Sequence, residues 1–157
     1  IFSLDTRATR LYGPVEVYAY VAVDDKTVVE DAFKLTIKAN IVEDFSALTT
    51  EEKQQAPIIE LLKEHNAGSI AAGKRLKYTL AIKNSGANPL EIRRVYCTDN
   101  AVNIKPCKSV KSGKKGYIVL DINTTGMEAG SYVREITIIS NDYKNSIQKV
   151  KINFTVE

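Results

Sequence analysis

The sequence predicts an all-β fold, and two features of it support this prediction. Apolar and polar residues alternate with a period of two along most of the chain, which is typical of half-buried antiparallel strands. Short segments rich in Gly, Asn, Ser and Pro separate these stretches and supply residues suited to turns. The composition, 44% hydrophobic and 26% charged over 157 residues, is ordinary for a globular protein and excludes a disordered or collagen-like one.

An internal repeat aligns without a gap when Gly13 is placed on Gly130. Asp24-Asp25 then falls on Asn141-Asp142, in the turn that follows the first strand of each copy. The apolar positions of the following strand are Phe33, Leu35, Ile37 and Ala39 in one copy and Val150, Ile152, Phe154 and Val156 in the other. Each copy therefore predicts a strand, a turn and a second strand.

Residues 1–45 form the first predicted unit, with strands at 1–5, 14–24 and 32–42. Three strands expose one apolar face and cannot build a two-layer core alone. We interpret this unit as the C-terminal half of a sandwich. It would be completed by an upstream segment, by the second unit or by another chain. Because the chain begins at Ile1, without Met and inside a predicted strand, removal of an upstream segment is also expected.

Residues 46–57 are predicted to form a helical linker. Thr49 is followed three residues later by Glu52, the capping-box spacing that starts a helix. Pro57 marks its end, since proline cannot continue the helical hydrogen bonding.

Residues 58–157 form the second predicted unit, a complete immunoglobulin-like antiparallel β-sandwich. Arg93-Arg94 interrupts the alternation in one strand and predicts a β-bulge. The expected strands are 58–63, 75–84, 89–96, 101–105, 116–123, 131–140 and 147–156.

A series of short motifs also follows a recognisable order in this second unit. They are His65–Gly73, Leu80–Gly86, Asn88–Ile92, Val95–Cys97, Ser112–Gly116 and Ser140–Asp142. In this order they resemble the bacterial immunoglobulin-like family called "domain of unknown function fifteen-seventy-three", a relative of Hydin-type and major-sperm-protein-like domains. Together with the repeat, the resemblance implies tandem copies, of which the first is truncated.

The resemblance implies export to the periplasm or cell surface of a bacterium, often as a lipoprotein, with a lipid anchor on a removed N-terminal segment. It supplies no known activity. This chain has Cys97-Thr98-Asp99-Asn100 where the family commonly has a Cys-Gly-Cys-Thr cluster. A metal or redox role for that cluster would therefore lack its second sulfur.

Cys97 and Cys107 are the two cysteines of the chain. They have neither the CxxC spacing nor the nearby histidine of a zinc or thioredoxin-like site. In an oxidising compartment they could form a disulfide worth about 2–3 kcal/mol, and otherwise they would be separately buried thiols. Their spacing leaves both alternatives open.

The sequence motifs indicate neither an enzyme nor a cofactor site. Gly68–Arg75 approaches a phosphate-binding loop but has Arg75 where a Ser or Thr hydroxyl is needed, and a strand follows it instead of a helix. His65 is the single histidine and is expected in a surface loop, with no serine-nucleophile motif in the chain. We therefore predict a protein that is not an enzyme.

Two tyrosines are the candidate binding surface. Tyr18 and Tyr20 share one face of a predicted strand whose other face carries Val17 and Ala19. At the matching positions of the second copy, Glu135 and Thr137 are polar. Exposed tyrosines could anchor a protein partner or stack on a sugar ring. Alternatively they pack against the linker or the neighbouring unit.

The charge pattern does not favour nucleic acid as a partner, because 22 basic and 19 acidic residues leave only +3. No apolar run approaches the roughly 18–20 residues of a membrane span. The sequence therefore predicts a protein-interaction or spacer module, with an unidentified protein as partner. A carbohydrate-binding accessory module that uses Tyr18 and Tyr20 is the alternative.

Overall fold

The computed structural model describes residues 11–20, 22–23, 26–27 and 34–157. The chain divides into two compact units, Ile1–Glu43 and Asp44–Glu157, so the linker helix groups with the second unit. The predicted strand at residues 1–5 lies outside the described residues.

The described residues of the first unit form two antiparallel strand pairs. Its strands are β1 (Gly13–Tyr20), β2 (Ala22–Val23), β3 (Lys26–Thr27) and β4 (Lys34–Ile41). β1 and β4 pair along their full length, from Gly13 opposite Ile41 to Tyr20 opposite Lys34. β2 and β3 form a short pair of their own.

The second unit is a sandwich of two sheets. Its elements are α1 (Thr50–Gln54), β5 (Ile59–Glu60), β6 (Glu64–Ile70), β7 (Arg75–Asn84), β8 (Leu90–Tyr96), β9 (Val102–Lys105), β10 (Ser109–Val110), β11 (Lys115–Asn123), β12 (Gly130–Ser140) and β13 (Ile147–Val156). One sheet has the order β10-β8-β12-β13-β6 and the other β5-β7-β11-β9. Alternate side chains of both sheets meet in one core, which includes Leu80, Ile118, Leu120, Ile136, Ile138, Val150 and Ile152. The predicted all-β, immunoglobulin-like sandwich is confirmed.

The predicted helix is also present, with the expected cap. Thr49 Oγ1 accepts a hydrogen bond from Glu52 N at 3.2 Å, and Glu52 Oε2 accepts one from Thr49 N at 2.8 Å. In the part of the chain that the structure describes, no helix has the length and apolar character of a membrane span.

The predicted bulge lies at Arg93. Ile139 of β12 is opposite Arg94 and Ser140 is opposite Ile92, so Arg93 is the extra residue of β8.

The predicted strand at 58–63 is wrong in its extent. β5 ends at Glu60, and the chain then crosses to the other sheet as β6, which pairs in parallel with β13. His65 therefore lies in a strand and not in the expected loop. Strand β6 was not recognised in the sequence because its alternation of apolar and polar residues is broken at Gly68. Gly68 has φ +84°, and the register between β6 and β13 shifts there.

Candidate functional site

The tyrosine face is the surface of the β1–β4 pair that carries the candidate tyrosines. Because directly opposite residues of paired strands point to the same side, it consists of Glu16, Tyr18, Tyr20, Lys34, Thr36 and Lys38. Tyr18 is 50% exposed and Tyr20 is 37% exposed. Val17 and Ala19, on the opposite side, are only partly exposed, as the alternation predicts. Both candidate rings are thus accessible on one surface of the first unit.

Charged neighbours hold the Tyr18 ring in place. Its hydroxyl donates a hydrogen bond to Glu16 Oε1 at 2.9 Å, and Lys34 Nζ lies 3.8 Å from the ring centroid. Lys38 Nζ forms an ion pair with Glu16 Oε2 at 3.5 Å. The bond to Tyr18 lowers the pKa of Glu16, and the same bond raises the pKa of Tyr18, so the phenol stays a donor at neutral pH.

Lys34 limits access to the Tyr18 ring. An ammonium over an aromatic ring is an attractive cation–π contact. The Lys34 ammonium already occupies one face of the Tyr18 ring, so a sugar ring would have to displace Lys34 or use the other face. A protein partner could instead bind the rings at their edges and the surrounding charges through hydrogen bonds.

His65 is fixed by hydrogen bonds within the second unit. Its Nε2 lies 3.2 Å from Leu62 O, and its Nδ1 lies 2.9 Å from the Tyr78 hydroxyl. A hydrogen on Nε2 satisfies both contacts, with Nδ1 accepting from Tyr78. The two rings also pack edge to face at 5.7 Å. These contacts give His65 a structural role.

Cys97 and Cys107 are free, half-buried thiols in the structure. Cys107 lies beside Gly116, at the start of β11. Cys97 follows the end of β8, and its Sγ accepts a hydrogen bond from Asp99 N. Asp99 O accepts one from Val102 N, and Val102 is paired with the far end of β11. The two thiols therefore lie toward opposite ends of the sandwich. Burial raises the pKa of Cys107, which keeps it protonated and weakly nucleophilic at neutral pH.

The recognised turn motifs serve the fold. Asn84 is fully buried and its side chain makes four hydrogen bonds. Asp142 Oδ2 accepts from Ile59 N at 3.0 Å and so ties the last hairpin to the first strand of the second unit. Gly86 has no room for a side chain against the segment Ala56–Ile58. Sequence reasoning identified these residues as turn formers, but it did not show that they join distant strands.

Within the described ranges, no group of three or more His, Cys, Asp or Glu side chains is arranged to hold a metal ion.

The comparisons with known proteins agree with this fold. The structure is similar to the crystal structure of a protein of unknown function from Porphyromonas gingivalis W83, with a TM-score of 0.64 and 21% identity. The match covers 90% of this chain but only 63% of that protein, so this chain spans less than two thirds of its length.

Two further structural matches have lower TM-scores. The PapD-like domain 7 of human CEP192 matches with a TM-score of 0.47 and 10% identity, over 76% of this chain and 95% of that one. The periplasmic chaperone SfaE matches with a TM-score of 0.45 and 11% identity, over 64% of this chain and 58% of that one.

No curated protein matches this sequence. The family model described as "Protein of unknown function (DUF1573)" matches residues 60–156, which is most of the chain and most of the second unit. This chain belongs to the DUF1573 family.

Proposed function

We propose that this chain is a non-enzymatic protein-interaction or spacer module of the bacterial envelope, located in the periplasm or at the cell surface, and that the tyrosine face contacts a protein partner. The exposure of Tyr18 and Tyr20 on one strand carries the proposal. Tyrosine is enriched where proteins bind each other, because its ring supplies apolar area and its hydroxyl a hydrogen bond.

The surroundings of the rings favour a protein over a small substrate. Glu16, Lys34 and Lys38 place both signs of charge around Tyr18. Such a mixed polar rim around an aromatic centre is typical of protein interfaces. An enzyme would require convergent titratable groups in a cleft. The single histidine of the chain is instead engaged by Leu62 and Tyr78.

We also propose that the two units are tandem copies, of which the first is truncated. The repeat places β1 on β12 and β4 on β13, and each of these pairs is antiparallel. The two registers differ by two residues, because Gly13 is opposite Ile41 whereas Gly130 is opposite Val156. A shift of two residues keeps every side chain on the same face of its sheet.

A pull-down from bacterial envelope extract tests the proposed function. The bait proteins are the wild-type chain, a Tyr18→Ala/Tyr20→Ala double variant and a Tyr117→Ala control. Tyr117 is a suitable control because it is 55% exposed on the second unit. We expect a defined protein that the wild type and Tyr117→Ala capture but the double variant does not. Equal capture by all three would remove the tyrosine face from the proposal.

A carbohydrate-binding accessory module is the second candidate, since the same exposed rings could stack on sugars. A glycan array with the same three proteins distinguishes the two functions. Glycan binding that is lost in the double variant, without capture of a protein, would replace the interaction module by the carbohydrate module.

A further inference from the structure

A second surface of the molecule, on the other unit, is strongly basic. Residues 105–115 include five lysines and neither Asp nor Glu, and we call them the basic segment. Its lysines are Lys105, Lys108, Lys111, Lys114 and Lys115. The segment carries a charge of +5 and the whole chain only +3, so the other residues together carry −2. The positive charge of this protein is therefore concentrated in one short stretch.

The fold of the basic segment directs its lysines outward. The segment leaves β9, contributes β10 to the opposite sheet and returns to the first sheet as β11. β9 and β10 each lie at the end of the strand order of their sheet, so the segment runs along one side of the sandwich. Cys107 and Val110 pack against the core, and a lysine follows each of them. All five lysines are exposed on this side.

The carboxylates near the basic segment are engaged elsewhere. Glu91 accepts a hydrogen bond from a serine hydroxyl of β10 at 2.7 Å. On the neighbouring strands, Asp121 is paired with Arg75 at 3.0 Å and Glu60 with Lys83 at 3.1 Å. Within the described ranges, none of the five lysines of the segment forms an ion pair. Their charges are therefore available to a ligand.

The chemistry of the segment fits a surface with many negative charges. A lysine ammonium is a point charge on a flexible stem, whereas the planar guanidinium of arginine fits one carboxylate or phosphate in a fixed geometry. The exposed positions between the lysines are Pro106, Ser109, Ser112 and Gly113. The segment thus lacks the aromatic centre of a protein interface and the stacking side chains that hold single-stranded nucleic acid. What it offers is positive charge alone.

We propose that the basic segment contacts the anionic lipid headgroups of a membrane surface. Clusters of four to eight basic residues bind such surfaces, and each lysine near the headgroups strengthens binding about fivefold. The contact is reversible and depends on salt, because the attraction is electrostatic and is screened by ions. The segment is separate from the tyrosine face and does not depend on its function.

Cosedimentation of the whole chain with lipid vesicles tests this proposal. One kind of vesicle is pure phosphatidylcholine, and the other contains equal parts of phosphatidylcholine and phosphatidylglycerol. We expect binding at least about tenfold tighter to the anionic vesicles, and its loss at about 0.5 M salt. Equal binding to both kinds of vesicle, or binding to neither, would overturn the proposal.

Competing polyanions distinguish a membrane from the other negatively charged partners. Polyglutamate and duplex DNA are added to the anionic vesicles at an equal concentration of negative charge. We expect most of the protein to stay with the vesicles. Preferential binding to polyglutamate would assign the segment to an acidic protein, and preferential binding to DNA would assign it to a nucleic acid. Either result would replace the proposal.

Variants locate the contact. Lys108→Glu/Lys111→Glu/Lys114→Glu should weaken binding to anionic vesicles at least about thirtyfold, since three attractive charges become repulsive. Lys108→Arg/Lys111→Arg/Lys114→Arg keeps the charges and should change binding less than about threefold.

The matched control is Lys63→Glu/Lys74→Glu/Lys144→Glu, which makes the same change in net charge at exposed positions of the same unit. It should weaken binding less than about fivefold. Equal losses in the two Glu variants, both shown to be folded by circular dichroism, would refute the assignment to this segment. Tyr18→Ala/Tyr20→Ala should bind vesicles normally, which separates this site from the proposed function.

Discussion

The side-chain amide of Asn84 donates a hydrogen bond to Val110 O at 2.9 Å, which joins β7 of one sheet to β10 of the other. The same amide donates to Asn88 O at 2.9 Å, and its oxygen accepts from Gly86 N at 3.0 Å and Ile58 N at 3.3 Å. One buried side chain thus ties together both layers and the turn between β7 and β8.

Replacement of Asn84 by Ala should strongly destabilise the second unit. Four backbone groups would lose their partner at a site that excludes water, and we expect a loss of about 3 kcal/mol in the free energy of unfolding. Urea unfolding followed by circular dichroism measures this. Asn66→Ala is the control, because exposed Asn66 accepts a single bond from Gly68 N. Similar losses for both variants would contradict the central role of Asn84.

Gly86→Ala should destabilise the protein through a steric clash. An added Cβ would lie 2.6 Å from both Ile58 N and Pro57 Cα, and closer still to Ala56 O. Backbone atoms cannot move aside as a flexible side chain can. Gly126→Ala is the matched comparison, because its φ of +78° carries a conformational cost of about 1 kcal/mol but the space around it is open. A loss for Gly86→Ala no larger than that for Gly126→Ala, measured by thermal unfolding, would rule out the clash.

Both cysteines should titrate as free thiols. The structure places them toward opposite ends of the sandwich, and disulfide formation requires Cα atoms within about 7 Å. A thiol reagent added to protein purified without reductant and unfolded in urea should detect both. In the folded protein Cys107 should react slowly, since burial raises its pKa. Detection of no thiol after unfolding would instead establish the Cys97–Cys107 disulfide.

The ion pair of Arg75 and Asp121 should contribute to stability only above acidic pH. Arg75 Nε and Nη2 each lie 3.0 Å from a carboxylate oxygen of Asp121, and this bonding lowers the pKa of Asp121. A carboxyl group whose pKa is lower in the folded state stabilises the fold above its unfolded pKa, and the contribution is lost as the pH falls through the folded value.

The stability difference between wild type and Asp121→Asn should therefore be present at neutral pH and shrink at acidic pH. Urea unfolding at a series of pH values measures it, with Glu128→Gln as an exposed control. A difference that grows on acidification would have the wrong sign for this ion pair.

The sequence predicted the second unit well where local patterns are strong. Strands 75–84 and 147–156 were expected with the bounds that the structure has, because their alternation is uninterrupted. The capping box at Thr49 and the bulge at Arg93 were also predicted, since each has a local sequence signal. The crossing from β5 to β6 was missed, because Gly68 disguises a strand that pairs in parallel with one about 85 residues away.

The candidate surfaces also differ in how well the sequence predicts them. The tyrosine face could be read from alternation along a single strand. A groove lined by Glu60, Leu62, His65 and Lys83 could not, because it forms only where β5 and β6 separate and brings residue 62 near residue 83. Such a site depends on which sheet each strand joins, and local sequence does not specify that.

We propose that the tyrosine face serves binding and not folding. The most direct test measures, for the Tyr18→Ala/Tyr20→Ala variant, both its stability and its capture of the protein found with the wild type. Exposed side chains contribute little to stability, so unfolding should change by less than about 1 kcal/mol while capture is lost. Full capture by a folded double variant would contradict the account.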